Sequence, residues 1–174
     1  MNISHFESDH EYYMQHALAL AWEAGDDGEI PVGCVITCPG KDIIGRGRNR
    51  REKARTATAH AELEAINNAC LTLGDWRLSG CSLYVTLEPC PMCAGAIIMS
   101  RIERVFFGAC DELTGSCGSV INLFMEPYGH STQIVGGILV RECTEMLTEF
   151  FKNLREQTAD SRRPDIQGIR NCSV

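Results

Sequence analysis

The stretch that decides the fold is LYVTLEPCPMCAGAIIMSRIERVFFGA, Leu83 to Ala109. Leu83 to Leu87 is a short apolar run that reads as a strand. Pro89, Cys90 and Pro91 interrupt it, and the small and apolar residues from Met92 to Met99 predict a buried helix opened by proline at its first position. Arg104 to Ala109 then reads as a further strand, because Val105, Phe106 and Phe107 are too continuous for a surface one. Strands joined through a helix pair in parallel, in a sheet covered by helices on both faces.

Upstream, Ser8 and Glu11 have the spacing of a capping box, and the apolar residues that follow recur at helical intervals to about Ala24, with Gly25 as a left-handed cap. Ile30 to Cys38 and Asp42 to Arg48 read as a hairpin around Pro39 and Gly40. A polar, basic loop leads to a helix from about Ala59 to Leu73, expected to bury Leu63, Ile66 and Cys70. Downstream, Cys110 to Ser119 reads as a loop, Val120 to Met125 as a short helix and Gln133 to Gly137 as a fifth strand. A last helix, Arg141 to Glu156, is expected to bury Cys143, Met146, Leu147 and Phe150. Together these predict one α/β domain over residues 1–156, a three-layer α/β/α fold on a mixed five-stranded sheet, followed by a flexible tail from 157 to 174.

The chain has 174 residues, 44% of them apolar and 22% charged, enough for a real core and too apolar for a disordered chain. No run free of Asp, Glu, Lys and Arg exceeds the 14 residues from Pro127 to Val140, so no membrane span is expected. The first Lys or Arg is Lys41, and no secretory leader is read at the start, which predicts the cytoplasm and reduced thiols for most of the 10 cysteines. Net charge is −7, but Lys41 to Arg55 carries seven basic residues against Asp42 and Glu52. Such a run reads first as a solvated loop and second as a contact for a nucleic-acid backbone.

The chemistry centres on His60, Glu62, Cys90 and Cys93. Two cysteines three apart at the opening of a helix face the same way and can share one zinc. Their spacing also suits a redox pair, but that leaves His60 and Glu62 without a role, whereas a histidine on the preceding helix completes a Cys2His catalytic zinc site. Three protein ligands leave one position for water, and Glu62, kept out of the ligand set, is free to carry its proton. Residues two apart in a helix diverge by about 200°, so His60 and Glu62 can converge only over the first turn. Cys110 or Cys117 would be the fourth ligand of a closed, structural site.

His-x-Glu followed by Pro-Cys-x-x-Cys is the signature of zinc nucleobase deaminases. The sequence resembles the bacterial tRNA-specific adenosine deaminases, within the cytidine and deoxycytidylate deaminase-like superfamily. The resemblance lies in Ile30 to Gly33, Asn49, Thr58 to Glu62, Leu83 to Ile102 and the CTEMLTEFF of Cys143 to Phe151, and covers about residues 10 to 156. It implies zinc on His60, Cys90 and Cys93, one ion per subunit, and Glu62 as proton shuttle. It also implies substrate contacts at Pro31, Val32, Asn49, Ala61, Asp111 and Phe151. The implied reaction is hydrolysis of the wobble adenosine to inosine, usually in the anticodon stem-loop of an arginine tRNA, by a homodimer. Departures at Thr56, Ala57, Gly129, Ser131 and Leu154 remove family groups and bear on RNA contacts more than on hydrolysis. The alternatives are a deaminase of free guanine or cytidine-type substrates and a non-enzymatic RNA-binding protein with structural zinc.

Overall fold

The structure, a computed structural model, describes the backbone of residues 3–160 and the side chains of 9–157. The elements run α1 (Ile3–Asp26), β1 (Gly33–Cys38), β2 (Lys41–Arg48), α2 (Arg51–Ala54), α3 (Ala61–Leu73), β3 (Ser82–Leu87), α4 (Pro91–Met99), β4 (Arg104–Ala109), a 3-10 turn (Leu123–Met125), β5 (Gln133–Gly136) and α5 (Val140–Asp160). The sheet order is β2-β1-β3-β4-β5. β1 is antiparallel to both β2 and β3, while β3, β4 and β5 are parallel. This is the expected three-layer α/β/α fold with a mixed sheet.

Both faces of the central strands are buried, and side chains divide by parity. Cys34, Ile36, Leu83, Val85, Val105 and Phe107 join the core beneath α3 and α4. Val35, Tyr84 and Phe106 point the other way, against Met14, Ala17 and Ala21 of α1 and Cys143 and Met146 of α5. The period-2 alternation of a strand therefore feeds two cores, which is why residues 34–36, 83–85 and 105–107 show no polar alternation.

Several boundaries differ from expectation. The first helix begins at Ile3 rather than at the Ser8 capping box and includes Gly25; the left-handed residue is Gly28, at φ +81°. Part of the basic loop is helical, as α2. α5 continues to Asp160, four residues into the expected tail, and residues 161–174 lie outside those described. Leu147 and Phe150 on α5 are only half-buried.

On α3 the buried stripe is Ala61, Ala65, Ile66 and Ala69, and the expected Leu63 and Cys70 are only partly covered. The reason lies on β2. A Cβ at Gly45 would stand 2.3 Å from the Ala65 carbonyl oxygen, and one at Gly47 would stand 2.1 Å from that of Ala61. Strand backbone and helix backbone meet with only hydrogens and methyl groups between them, so large side chains are excluded from both. This contact fixes the height of the first turn of α3, where the candidate ligand and acid sit. Gly47→Ala is expected to cost about 3 kcal/mol and lower Tm by roughly 10 °C, since neither backbone can yield without losing hydrogen bonds. Thermal unfolding followed by circular dichroism checks this, and an unchanged Tm would show that the helix floats free of the strand.

Candidate active site

Two helices begin at the same place. His60 is the N-cap of α3, with φ −85° and ψ 152°, and Cys90 is the N-cap of α4, with φ −73° and ψ 171°. An N-cap side chain ordinarily bonds to an amide of its own first turn. Neither residue does so here, and Pro91 at the first position of α4 removes one of the amides in any case. The side chains turn towards each other instead. His60 Nδ1 lies 3.8 Å from Cys90 Sγ and 3.5 Å from Cys93 Sγ.

All three candidate ligand atoms lie within 4.8 Å of one another, the one such cluster among the described residues. A tetrahedral zinc with ordinary bond lengths sets nitrogen–sulfur edges of about 3.6 Å and sulfur–sulfur edges of about 3.8 Å, so the donors fit that ion. Neither Cys110 nor Cys117 joins the cluster: Cys110 is exposed, and Cys117 packs against the core beneath α3 and α4. Among the described residues the closed four-ligand alternative finds no fourth ligand.

The electrostatics favour a cation. A hydrogen bond from the Cys93 thiol lowers the Cys90 thiol to about 4, against the opposing effect of burial, with His60 assisting. The bond with Cys90 in turn raises His60 above its ordinary value. Cys93, donating to that thiolate and buried, is pushed far up. One proton is thus shared between two sulfurs, and a dication that takes both as thiolates displaces it.

Glu62 is 4% exposed and occupies the first turn of α3 beside the cluster without belonging to it. Burial lifts its carboxyl to about 7, the Cys90 thiolate adds to the rise, and His60 opposes it. Because His60 is extended while Glu62 is helical, the 200° divergence expected within a helix does not arise, and both side chains face one cavity.

That cavity is about 230 Å³, lined by Val32, Asn49, His60, Ala61, Glu62 and Cys90 among others. It lies below the roughly 300–1,000 Å³ of drug-sized sites, the scale of a single flat ring system. It opens at the carboxyl ends of the parallel strands, where open α/β sheets place their ligands. Asp111 also lines it, while its carboxylate accepts from the Leu113 and Thr114 amides and the Thr114 hydroxyl. Pro31 is buried beside the lining residues Ile30 and Val32 and does not itself reach the cavity. Phe151 lies elsewhere, 40% exposed on α5, in a shallow depression with Cys110, Leu147 and Arg155.

Two lining acids were not singled out from the sequence. Glu88, 2% exposed, accepts from the amides of Asp111, Cys117 and Ser119 and from the Ser119 hydroxyl, and so ties down the 111–119 loop. Burial acts to raise its carboxyl, but these donors hold it below the ordinary range. Glu29, 1% exposed, accepts from Asn49 and from the first turn of α2. The sequence signal is an acid at the edge of a strand-like, mostly apolar run: Glu29 before residues 30–38 and Glu88 after residues 83–87.

Three of the seven basic residues of the segment form ion pairs. Arg48 pairs with Glu23 and Asp27, Arg50 with Glu64, and Lys53 with Asp27. Arg51, exposed on the cavity wall, is in none of these ion pairs.

Residues 7–109 match the family described as the cytidine and deoxycytidylate deaminase zinc-binding region. The tRNA-specific adenosine deaminase of Bacillus subtilis is 46% identical over 154 residues, 88% of this chain and 95% of the relative. A solved structure from work on A-to-I editing by tRNA:A34 deaminases at the wobble position is 40% identical with a TM-score of 0.74, covering 78% of this chain and 98% of that one. The guanine deaminase of Bacillus subtilis is 34% identical with a TM-score of 0.56, covering 90% and 95%.

Proposed function

This chain belongs to the bacterial tRNA-specific adenosine deaminases, within the family of the cytidine and deoxycytidylate deaminase zinc-binding region, and we propose that it converts the wobble adenosine of a tRNA anticodon to inosine. The observation that carries this reading is Glu62, a buried carboxylate standing beside a His-Cys-Cys cluster without joining it.

Zinc held by His60, Cys90 and Cys93, one ion per subunit, supplies Lewis-acid chemistry that brings the pKa of a water towards about 7. Glu62 accepts that water's proton and delivers it to adenine N1 as oxygen adds at C6. It then takes the remaining proton from the oxygen added at C6 and passes it to the 6-amino group, which leaves as ammonia; the balance is adenosine plus water to inosine plus ammonia. The amide groups of the first turns of α3 and α4 add fixed positive potential on the side of the cavity where negative charge gathers. Val32 and Ala61 cover the base, Asn49 hydrogen-bonds to it, and the buried Pro31 sets the course of the chain into Val32. An unpaired anticodon base costs less to withdraw into such a cavity than one within a duplex.

The RNA meets Arg51 at the rim, Asp111 against a ribose or neighbouring nucleotide, and Phe151 on α5 against flanking bases. Arg51→Ala is expected to weaken RNA binding at all salt concentrations and reduce the slope of log affinity against log salt by about 0.7. An unchanged slope would place the phosphates elsewhere.

We assign the substrate to an arginine tRNA, the active form to a homodimer and the location to the cytoplasm. The dimer is supported by exposed Met99 on α4 and Met125 on the 3-10 turn packed against it. Among the described residues no helix is long and apolar enough to cross a membrane.

The test is incubation of zinc-loaded protein with an arginine tRNA carrying wobble adenosine, reading inosine at that nucleotide and ammonia release in equal amounts. Turnover of free guanine or cytidine with indifference to the RNA would select the second reading, which the likeness to guanine deaminase supports.

A further inference from the structure

We propose that Glu29 is a positioning residue for the deamination, acting through Asn49 and setting which edge of its amide meets the substrate. The inference rests on the reading of Asn49 as the group that hydrogen-bonds to the base.

Glu29 lies ahead of the turn in which the Val32 amide donates to the Ile30 carbonyl at 2.8 Å. Its Oε2 accepts from Asn49 Nδ2 at 3.4 Å and from the Glu52 amide at 3.1 Å, and its Oε1 accepts from the Lys53 amide at 2.7 Å. The last two donors belong to the first turn of α2, whose N-cap, Arg50, makes no side-chain cap bond. A carboxylate more than 20 residues away in the chain therefore caps this helix. The Asn49 main chain is anchored to the same wall, its amide donating to the Val32 carbonyl at 2.9 Å.

An ionised carboxylate accepts hydrogen bonds and cannot donate them, whereas an asparagine amide can be read either way round. Placed against Glu29, the amide must present its NH2 end to the acid, which turns Oδ1 away from it. A free asparagine samples both orientations, and a neighbour that donates to Oδ1 would favour the wrong one and leave the amide and the base without their hydrogen bond. The same acid holds α2, and with it Arg51, so the group that reads the base and the cation on the rim share one support.

The experiment is a double-mutant cycle on the zinc-loaded, full-length protein with its tRNA substrate. Glu29→Gln keeps the volume but can donate as well as accept, so it permits the flipped amide. It is expected to raise KM and lower kcat/KM by roughly tenfold or more, with zinc content unchanged. In an Asn49→Ala background the same change is expected to cost less than about threefold. An equal loss in both backgrounds, as a purely structural role predicts, overturns the proposal, and so does full activity of Glu29→Gln.

Asn49→Asp provides an arm that does not depend on Glu29→Gln folding alone. It sets two carboxylates against each other, and adding Glu29→Gln to it is expected to restore part of the lost kcat/KM because glutamine can donate to the new acid. No restoration overturns the proposal. The cycle is also read as equilibrium binding of the tRNA in a Glu62→Gln background. A wild-type protein that binds this RNA but makes no inosine defeats the functional reading, while the binding cycle still decides the role of Glu29.

Discussion

Glu62→Gln is expected to keep its zinc and its affinity for RNA while turnover falls by roughly a thousandfold or more, since one positioned proton carrier is worth about 10²–10⁴ and this one serves both addition and departure. Glutamine preserves the shape and the hydrogen-bonding reach of the side chain, so the cavity and the first turn of α3 are unchanged. What is lost is the ability to hold a proton between one oxygen and two nitrogens. The mechanism also predicts how the loss divides: kcat and kcat/KM fall together and KM stays near its wild-type value, because Glu62 acts on the transition state more than on the bound ground state. Single-turnover measurement of inosine with excess enzyme separates the chemistry from product release. A variant that retains a tenth of wild-type turnover would show that another group moves the protons; the other two buried acids on the cavity wall are already committed, Glu88 to four donors from the 111–119 loop and Glu29 to Asn49 and the first turn of α2.

Removal of the metal has an effect as large but of a different kind. Cys90→Ala is expected to bring bound zinc close to zero and inosine formation to that of the blank, and added zinc should not restore it. Wild-type protein stripped by a chelator should lose activity in proportion to its zinc and regain it on readdition. The physical basis is the shared proton of Cys90 and Cys93. The structure pairs a thiolate lowered to about 4 with a thiol held far up, an arrangement ready to accept a dication. With one sulfur gone, one imidazole and one thiolate remain, too few donors and too little negative charge to hold the ion. Metal analysis alongside activity checks this, and an active, zinc-free variant would exclude the proposed chemistry altogether.

Much of this was legible in the sequence because the decisive residues are close in the chain. Pro91 beside Cys90, and Cys93 one helical turn on, announce a helix that opens at a ligand, and the parity of Leu83, Tyr84 and Val85 already implies a strand covered on both faces. The order of elements followed from that. His60 was placed near a helix start, but its role as an N-cap that declines to cap was visible only in the structure.

Other features depend on distant partners. Nothing in REKA indicates α2, since its cap is Glu29 on the far side of the hairpin. Likewise the buried face of α3 is dictated by glycines on β2: periodicity nominated Leu63, and the close approach at Gly45 and Gly47 admits only alanine-sized residues. The expected capping box at Ser8 lost to continuation of the helix, because a local signal that stabilises one start does not forbid an earlier one. Phe151 was readable only through resemblance, as an aromatic on the last helix near neighbouring RNA; it stands on α5, 40% exposed and outside the cavity lining.

The proposed chemistry requires a metal held by three side chains with one position open beside a free acid. Crystallography of the zinc-replete protein, with the ion placed by its anomalous signal, tests it most directly. The expected result is bonds to His60 Nδ1, Cys90 Sγ and Cys93 Sγ, a fourth position taken by solvent, and the Glu62 carboxylate within hydrogen-bonding reach of that solvent. A fourth bond from Glu62, Cys110 or Cys117, or a Glu62 turned away from the ion, would contradict it.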